Sequence, residues 1–402
     1  MHRDTRAAPT DAVPLGLQFV LGAFVFCSTF SIAGTQTALG LSLLLWIFFM
    51  IRDTAPRPHR TMLDVPFALF IAVSLVAALL SPERLESLKH LKNLLLVSAV
   101  YVVGFLASRT ELRNRLFMTL LFSGCGSAIY GIAIYLLGKG EGTLRRSPGP
   151  FSTAMTFGGV LLILSSLFLA ISVGSGLARR YRIAAGCAAL AAFAALFFSF
   201  TRSSWLGALV SVVVICAYLR RRFLIPFAVS LMILVMLLPA PYRSRVESIW
   251  NPKFRTNVQR LELVRGGIAI FKEHPIIGVG TMDLAEVYRE HMPPGAVYVH
   301  GHMHSDFLQV AVQMGVVGLA AFCILIVSFF RLIARNVKLG LAPSERSWAV
   351  GSLGALAGFV VNGLFEWNFG DAEVVTLLYV VIGANLAIHR NHLRAQCSCR
   401  NM

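Results

Sequence analysis

The apolar residues of this chain are gathered into long blocks, and that pattern limits the folds available to it. A helix needs about 20 apolar residues to cross the hydrocarbon core of a bilayer, and most of the blocks approach that length. Only 14% of the residues are charged, whereas soluble domains carry about a quarter. The sequence therefore predicts an all-α polytopic membrane protein with about 12 transmembrane helices. Their approximate limits are 14–33, 38–52, 64–80, 93–108, 116–137, 153–175, 183–200, 204–219, 223–240, 306–330, 347–365 and 373–389.

The basic residues predict the orientation of these helices. Clusters such as Arg220, Arg221 and Arg222 fall between alternate pairs of blocks. Because Lys and Arg accumulate in cytoplasmic loops, both termini are expected in the cytoplasm and the long segment 241–303 on the outer face. Orientation also accounts for most of the formal net charge of +17. No basic run in a soluble domain is interleaved with aromatic residues, so we predict no nucleic-acid partner.

Three regions follow from this topology. Residues 1–240 form transmembrane helices 1–9, residues 241–303 form an outer loop subdomain, and residues 304–402 form helices 10–12 with an inner tail. The insert holds no cysteine, which excludes a disulfide framework there. A helix is predicted over 257–273 and a shorter one over 283–291, separated by a Pro- and Gly-containing turn at 275–280. The residues that predict the apolar face of the first helix are Val258, Leu261, Val264, Ile268 and Phe271.

Three histidines end the insert at the start of the tenth block: His300, His302 and His304. A neutral imidazole can accept a proton from a hydroxyl, so His304 is a candidate general base at the membrane boundary. The alternative is an interfacial histidine that hydrogen-bonds a lipid headgroup. Three histidines could also ligate zinc, but no cysteine or paired carboxylate apart from Asp306 completes the set of ligands. We predict neither a metal nor another cofactor.

Arginines supply the second group of candidates. Arg202 lies in a short turn between the seventh and eighth blocks, where a charge is costly unless it is paired or used. Its planar guanidinium suits phosphate oxygens, although a boundary arginine that merely extends to water is the alternative. Arg265 lies on the predicted insert helix, and Arg255 and Arg260 are near it. Each could be a solvated charge, yet several cations above a membrane would form a receptor for a lipid phosphate.

Further charged residues lie in the other outer loops. The Gly- and Pro-containing loop 138–150 carries Arg145 and Arg146, and Glu366 and Asp371 flank the outer turn between the last two blocks. The carboxylates could pair with the arginines or orient the histidine. A purely structural ion pair is the alternative, because such pairs also satisfy charges at a membrane boundary.

Taken in order, these motifs resemble those of the O-antigen ligases of Gram-negative bacteria, a group that also includes O-antigen polymerases and some protein O-oligosaccharyltransferases. The resemblance covers the second half of the chain. The family usually shows His-Asn where this chain has His304 and Ser305, so an orienting amide is missing here. The matching segments are 201–207, the Arg265 helix leading into 274–280, 302–309 and 313–318.

The resemblance implies a glycosyltransferase of the GT-C type in the bacterial inner membrane, with its insert and active site in the periplasm. The donor would be a glycan on undecaprenyl pyrophosphate and the acceptor a sugar hydroxyl of the lipid A core. His304 would take the acceptor proton, while Arg202 and Arg265 would stabilise the departing pyrophosphate and the anomeric carbon would invert. The residues expected to contact the substrates are Arg145, Arg146, Arg255, Arg260, His302, Glu366 and Asp371.

Two other interpretations remain open. An O-antigen polymerase or a protein O-oligosaccharyltransferase would use the same carrier, but family polymerases usually have more than one sizeable outer loop. A twelve-span transporter belongs to a different class of protein. Its substrate path is normally marked by charges near the middle of the membrane. Here the charged candidates collect at the outer face and the blocks are almost free of charge, which favours an enzyme.

Overall fold

The computed structural model describes residues 13–141 and 145–400 of the chain. Regular structure within these ranges is helical, apart from one isolated antiparallel bridge between Glu141 and Arg146. The first ten helices are α1 (Leu15–Cys27), α2 (Ile32–Ile51), α3 (Asp64–Leu80), α4 (Arg84–His90), α5 (Ser98–Leu106), α6 (Thr110–Leu136), α7 (Ala154–Val173), α8 (Arg179–Phe198), α9 (Arg202–Leu219) and α10 (Leu224–Leu237).

Three helices follow in the insert and three more complete the chain. The insert contains α11 (Ala240–Glu247), α12 (Arg255–Glu273) and α13 (Ala285–Glu290), and the last three helices are α14 (Asp306–Lys338), α15 (Pro343–Gly363) and α16 (Ala372–Arg400). Short 3-10 turns join α4 to α5 over Leu91–Val97 and precede α10 over Arg221–Phe223. The two helices predicted for the insert are therefore present, each with slightly different bounds.

Eight helical segments of the described ranges are long and apolar enough to cross a membrane: Ile32–Ile51, Arg84–Leu106, Thr110–Leu136, Ala154–Val173, Arg179–Phe198, Arg202–Leu219, Asp306–Lys338 and Ala372–Gln396. The other four predicted spans coincide with α1, α3, α10 and α15. Of these, α1 and α3 are apolar but shorter, with 13 and 17 residues. The all-helical, multi-span character is confirmed, whereas the number of crossings stays a prediction.

Close packing of small residues holds the centre of the bundle together. A β-carbon on Gly207 of α9 would lie 2.5 Å from the carbonyl oxygen of Gly358 in α15, and one on Gly358 would lie 2.6 Å from the carbonyl oxygen of Gly207. These backbones therefore touch, as is common where membrane helices pack through small residues. The contact fixes the start of α9 against α15, and both helices carry candidate residues at or beyond their ends.

Helix α14 is broken one third of the way along, and the break anchors the insert. Gly315 has φ +64° and ψ −164°, so the helical hydrogen bonds stop there. The turn 275–280 fills the gap: the amide of Val279 donates to Val312 (3.0 Å), and the amide of Val316 donates to Pro275 (2.8 Å). Backbone groups freed in a membrane helix need such partners, because hydrocarbon offers none. The insert and α14 are therefore joined through their main chains.

The face of α12 that packs inward contains two glycines. The buried residues are Leu263, Gly266, Gly267 and Ile270, which repeat at helical spacing. A β-carbon on Gly266 would lie 2.5 Å from the Tyr288 ring, so these glycines let the neighbouring side chains approach. Four of the five periodic apolar residues that predicted the helix are exposed, namely Val258, Leu261, Val264 and Ile268. That exposed stripe gives the insert an apolar outer surface suited to a lipid boundary.

Candidate active site

A cavity of about 150 Å³ lies where the start of α9, the insert and the start of α14 meet. It contains four arginines and two histidines, so positive charge and imidazole groups share one small space. Such a composition suits an anionic ligand held next to a proton acceptor. The residues that line it are Arg146, Met155, Phe200, Thr201, Arg202, Arg245, Thr256, Gln259, Arg260, Leu263, His300 and His304.

His304 is held by a buried carboxylate from the loop between α15 and α16. Its Nδ1 lies 2.8 Å from Oε1 of Glu366, which is only 6% exposed. A carboxylate can only accept a hydrogen bond, so Nδ1 carries the proton and Nε2 is left as the basic nitrogen. The same arrangement orients the catalytic imidazole in acyl-transfer triads. The pair therefore has the geometry of a general base with its orienting group.

The backbone around His304 is strained in a way that fixes its side chain. His304 has φ +46°, in the left-handed region that non-glycine residues seldom adopt. Ser305 follows as the N-cap of α14 and accepts a hydrogen bond from the amide of Leu308. The buried Gln309 accepts one from the amide of Met303 at 2.7 Å. The position where the family usually has Asn is thus a helix cap here, and Gln309 holds the loop from the other side.

A second buried acid brings the two partners together. Asp306, in the first turn of α14, accepts a hydrogen bond at Oδ1 from the amide of Phe369 at 2.9 Å. Phe369 lies in the same loop as Glu366, so this bond ties the loop between α15 and α16 to the start of α14. Glu366 and His304, which are 62 positions apart in sequence, are therefore held within hydrogen-bonding distance of each other.

Glu366 stays ionised despite its burial. Burial alone would raise the pKa of Glu366, but the hydrogen bond with His304 and the positive charge of Arg260 outweigh it and hold the pKa below its usual value. Arg260 Nη2 lies 3.6 Å from Oε2 of Glu366. No hydrogen bond among the described residues reaches that oxygen. Glu366 therefore serves His304 with one oxygen and faces Arg260 with the other.

Arg146 and Arg245 are two further arginines that line the cavity. Arg146 donates from Nε to the carbonyl of Ser199 (3.1 Å) and from Nη2 to Thr201 Oγ1 (3.1 Å). Arg245 donates to the carbonyl of Phe200, while its buried Nε has no hydrogen-bond partner in the described part of the chain. Burial, and after it the nearby arginine charges, lower the pKa of Arg245 to about 10. Like charges gathered around a cavity make it attractive to an anion.

The guanidinium of Arg202 is hydrogen-bonded to the insert. Arg202 is the first residue of α9 rather than part of a free turn. Both terminal nitrogens of its guanidinium donate hydrogen bonds to the insert. Nη1 donates to the carbonyl and hydroxyl of Ser248 (2.8 and 2.9 Å), and Nη2 donates to Thr256 Oγ1 and Asn257 Oδ1 (both 2.7 Å). Arg202 therefore fastens the insert to the membrane helices and adds its charge to the cavity.

Several predicted residues are not brought to the cavity. Arg265 is on the exposed side of α12, because five residues rotate a helix by about 500°, which leaves it about 140° from Arg260. Arg255 stacks on Tyr298 at 5.0 Å, and Arg145 is exposed in its loop. Asp371 accepts a hydrogen bond from Thr156 Oγ1 at 2.6 Å and from amides at the start of α16. For these residues the structure corrects the expected place.

His302 and His300 lie next to His304, the candidate general base. The rings of His302 and His304 are 4.3 Å apart, and those of His300 and His304 are 5.3 Å apart. Burial, followed by the charge of His304, lowers the pKa of both His300 and His302, which favours their neutral forms. His302, His304 and Glu366 also each offer a ligand atom within 4.8 Å of the others.

A larger cavity of about 400 Å³ lies at the opposite end of the bundle. Its walls are mostly apolar, and its buried cation, Arg113, is already paired with Glu345 from the start of α15. Charges that neutralise each other leave little to attract an anion or a proton. The smaller cavity is therefore the better candidate for chemistry.

Sequence reasoning did not single out Arg245, and it ranked Arg265 above Arg260, which is the α12 arginine that lines the cavity. Arg245 was available as part of Arg243-Ser244-Arg245 directly after the ninth apolar block. No local pattern distinguishes it from a solvated charge, because its importance comes from its contact with Phe200, 45 residues earlier.

Comparison with known families agrees with this geometry. Residues 187–323, which include α9, the insert and the His304 segment, match the family model described as O-antigen ligase. No curated protein matches the chain significantly.

Proposed function

We propose that this chain, whose residues 187–323 match the O-antigen ligase family model, transfers a glycan from undecaprenyl pyrophosphate to a sugar hydroxyl of the lipid A core. The reaction would take place at the periplasmic face of the bacterial inner membrane, in a fold of the GT-C type. The single observation that supports this most is the His304–Glu366 pair opening onto a cavity walled by four arginines.

In the proposed reaction His304 is the general base. The acceptor hydroxyl gives its proton to Nε2 of His304 as its oxygen attacks the anomeric carbon of the donor sugar. The bond from that carbon to the diphosphate oxygen breaks, and the diphosphate leaves with the bonding electrons. Glu366 stabilises the imidazolium that forms, as a buried carboxylate does in a triad. One displacement of this kind inverts the anomeric carbon.

The arginines would act on the leaving group. Negative charge grows on the diphosphate as the bond breaks, so fixed cations around it lower the barrier without a metal. Arg260 makes no hydrogen bond within the described ranges and the buried Nε of Arg245 has no partner there, whereas Arg202 already uses both terminal nitrogens on the insert. We therefore assign phosphate contact to Arg260, Arg245 and Arg146, and assign to Arg202 the joining of the insert to α9.

Arg260 also links the donor to the base. In the free protein it faces Glu366 Oε2 at 3.6 Å, longer than a hydrogen bond. A diphosphate carries more negative charge than one carboxylate and would draw the guanidinium towards itself. Glu366 would then have His304 as its main partner, so its charge would act chiefly on the imidazolium that forms during transfer.

The exposed apolar stripe of α12 suits substrates that arrive within the membrane. Both proposed substrates are lipids, and α12 presents Val258, Leu261, Val264 and Ile268 outward next to the cavity-facing Arg260. A helix with one apolar and one cationic side can lie at a bilayer surface. This placement would let a lipid-linked diphosphate reach the arginines without leaving the bilayer.

The product distinguishes the candidate functions. Purified protein in nanodiscs would be given a lipid-linked donor of several repeat units and lipid A core. A ligase joins glycan to the core, and His304→Ala abolishes this, whereas His291→Ala, a histidine paired with Glu273 elsewhere on the insert, retains it. Longer carrier-linked glycan would indicate a polymerase. Normal transfer by His304→Ala would refute the mechanism.

A further inference from the structure

The cluster formed by His302, His304 and Glu366 has the composition and spacing of a transition-metal site. The three ligand atoms lie within 4.8 Å of one another. Glu366 Oε1 is 2.8 Å from His304 Nδ1 and 3.9 Å from His302 Nε2. In a tetrahedral zinc site with bonds of about 2.0–2.1 Å, ligand atoms are about 3.3 Å apart. The observed distances lie on either side of that value, so small side-chain rotations would complete the geometry.

We propose that this cluster binds Zn²⁺ reversibly through His302, His304 and Glu366, and that the bound ion inhibits glycan transfer. Two imidazoles and one carboxylate are a set of ligands that Zn²⁺ prefers, and a tetrahedral ion keeps one position for water. The buried Nε2 of His300, which has no hydrogen-bond partner in the described ranges, lies next to this group. His302 is 41% exposed, which gives the ion a path from solvent.

The proposed inhibition depends on which ring nitrogen of His304 binds the zinc ion. In the free protein the proton of His304 lies on Nδ1 and Nε2 is available as the base. A zinc ion bound to Nδ1 forces the single ring proton onto Nε2. Once Nε2 is protonated, it cannot take the proton of the sugar hydroxyl. No bond to substrate forms or breaks in this step. The inhibitory part of the inference rests on the proposed function, whereas the binding part does not.

The arginines limit how tightly the ion is held. Arg260 lies 3.6 Å from Glu366 Oε2, and the remaining guanidinium groups of the cavity also repel a cation. The site is therefore expected to hold zinc more weakly than a structural zinc site does. Because binding is weak, the ion would act as a reversible inhibitor and not as a permanently bound cofactor.

Direct binding tests the site without any glycan. Zn²⁺ would be titrated by calorimetry into the full-length protein in nanodiscs, after treatment with a chelator. We expect one ion per chain, and His302→Ala and Glu366→Gln should each weaken binding by about tenfold or more. The matched control is His291→Ala, which removes a histidine that pairs with Glu273 at 3.0 Å on the same insert. Equal affinity in all three variants, or no binding to the wild type, would overturn the proposal.

A second measurement uses only the wild type, so it does not depend on the variants folding. Co²⁺ replaces zinc in such sites and absorbs visible light strongly only when tetrahedral. Absorption bands of tetrahedral Co²⁺ that disappear when one equivalent of Zn²⁺ is added would support the proposed zinc site. If Co²⁺ gave no such bands, the proposal would be contradicted. Transfer assayed in chelator tests the ligase function separately. Full transfer that Zn²⁺ does not reduce would overturn the inhibition while leaving the proposed function intact.

Discussion

Removing Arg260 should slow transfer far more than removing Arg265, although both arginines belong to α12. Arg260 lines the cavity and lies 3.6 Å from Glu366, whereas Arg265 is on the exposed side of the helix. Two unit charges about 4 Å apart interact by about 4 kcal/mol at the effective dielectric constant near a protein surface. If Arg260 meets the leaving diphosphate at that distance, Arg260→Ala loses most of this energy in the transition state.

That energy sets the size of the effect. A loss of about 1.4 kcal/mol slows a reaction tenfold, so about 4 kcal/mol corresponds to roughly a thousandfold. Mutation of one donor to a developing oxyanion typically costs about a hundred- to a thousandfold, which agrees. Arg265→Ala should stay within about threefold of the wild type, because solvated surface charges contribute little. Alanine also suits a helix, so neither change should disturb α12.

The assay is single-turnover transfer of lipid-linked glycan to lipid A core by purified variants. Melting temperature and membrane abundance serve as controls for folding. Arg260→Ala also takes a charge away from the buried Glu366, so transfer is compared under conditions where each variant is folded. The reasoning would be refuted if Arg265→Ala were as slow as Arg260→Ala, or if Arg260→Ala kept more than about a tenth of the wild-type rate.

Four further predictions follow from single contacts. Glu366→Gln should slow transfer by about a hundredfold, because an amide accepts from the imidazole but does not stabilise its charged form. Arg202→Lys should abolish transfer and expose the insert to limited proteolysis, because one ammonium cannot replace a fork that makes four hydrogen bonds. Gly315→Ala should destabilise the protein by about 1–3 kcal/mol, since φ there is +64° and a β-carbon would lie 2.2 Å from Ile276. Burial and a neighbouring carboxylate raise the pKa of Asp371 to about 7, so Asp371→Asn should raise the melting temperature at pH 8 and raise it progressively less as the pH falls towards about 4.

The sign of the last effect follows from proton linkage. A carboxyl whose folded pKa is raised holds its proton in the folded state over a pH range where the unfolded chain releases it. Its stabilising contribution is complete below the usual pKa of about 4 and is lost as the pH rises through 7. The amide cannot ionise, so the benefit of Asp371→Asn grows as the pH rises from about 4 to about 7. Equal melting shifts at pH 5 and pH 8 would contradict this account.

Each of the other three predictions has a result that would contradict it. Wild-type rates in Glu366→Gln would show that the carboxylate does not assist His304. Full activity with an unchanged proteolysis pattern in Arg202→Lys would show that the fork does not hold the insert. An unchanged melting temperature in Gly315→Ala would show that the break in α14 adapts to a side chain, contrary to its tight contact with Ile276.

The sequence by itself determined the helical, membrane-spanning character and the region where chemistry gathers. Both follow from local properties: apolar blocks long enough to span a bilayer can satisfy their backbone groups as helices. The segment 300–309 and the turn at 201–204 stood out because polar and charged residues next to such blocks are costly. His304 and Arg202 were found in this way, and the structure places both at the cavity.

Only the tertiary structure decided which side chains meet. The contact of Glu366 with His304 joins two loops 62 residues apart, and that of Arg245 with Phe200 spans 45 residues. The choice between Arg260 and Arg265 depended on how α12 rotates, and glycines in its buried face, which carry no hydrophobic signal, set that rotation. Periodicity finds a helix because neighbouring residues define it, but its orientation is fixed by partners that are distant in sequence and close only after folding.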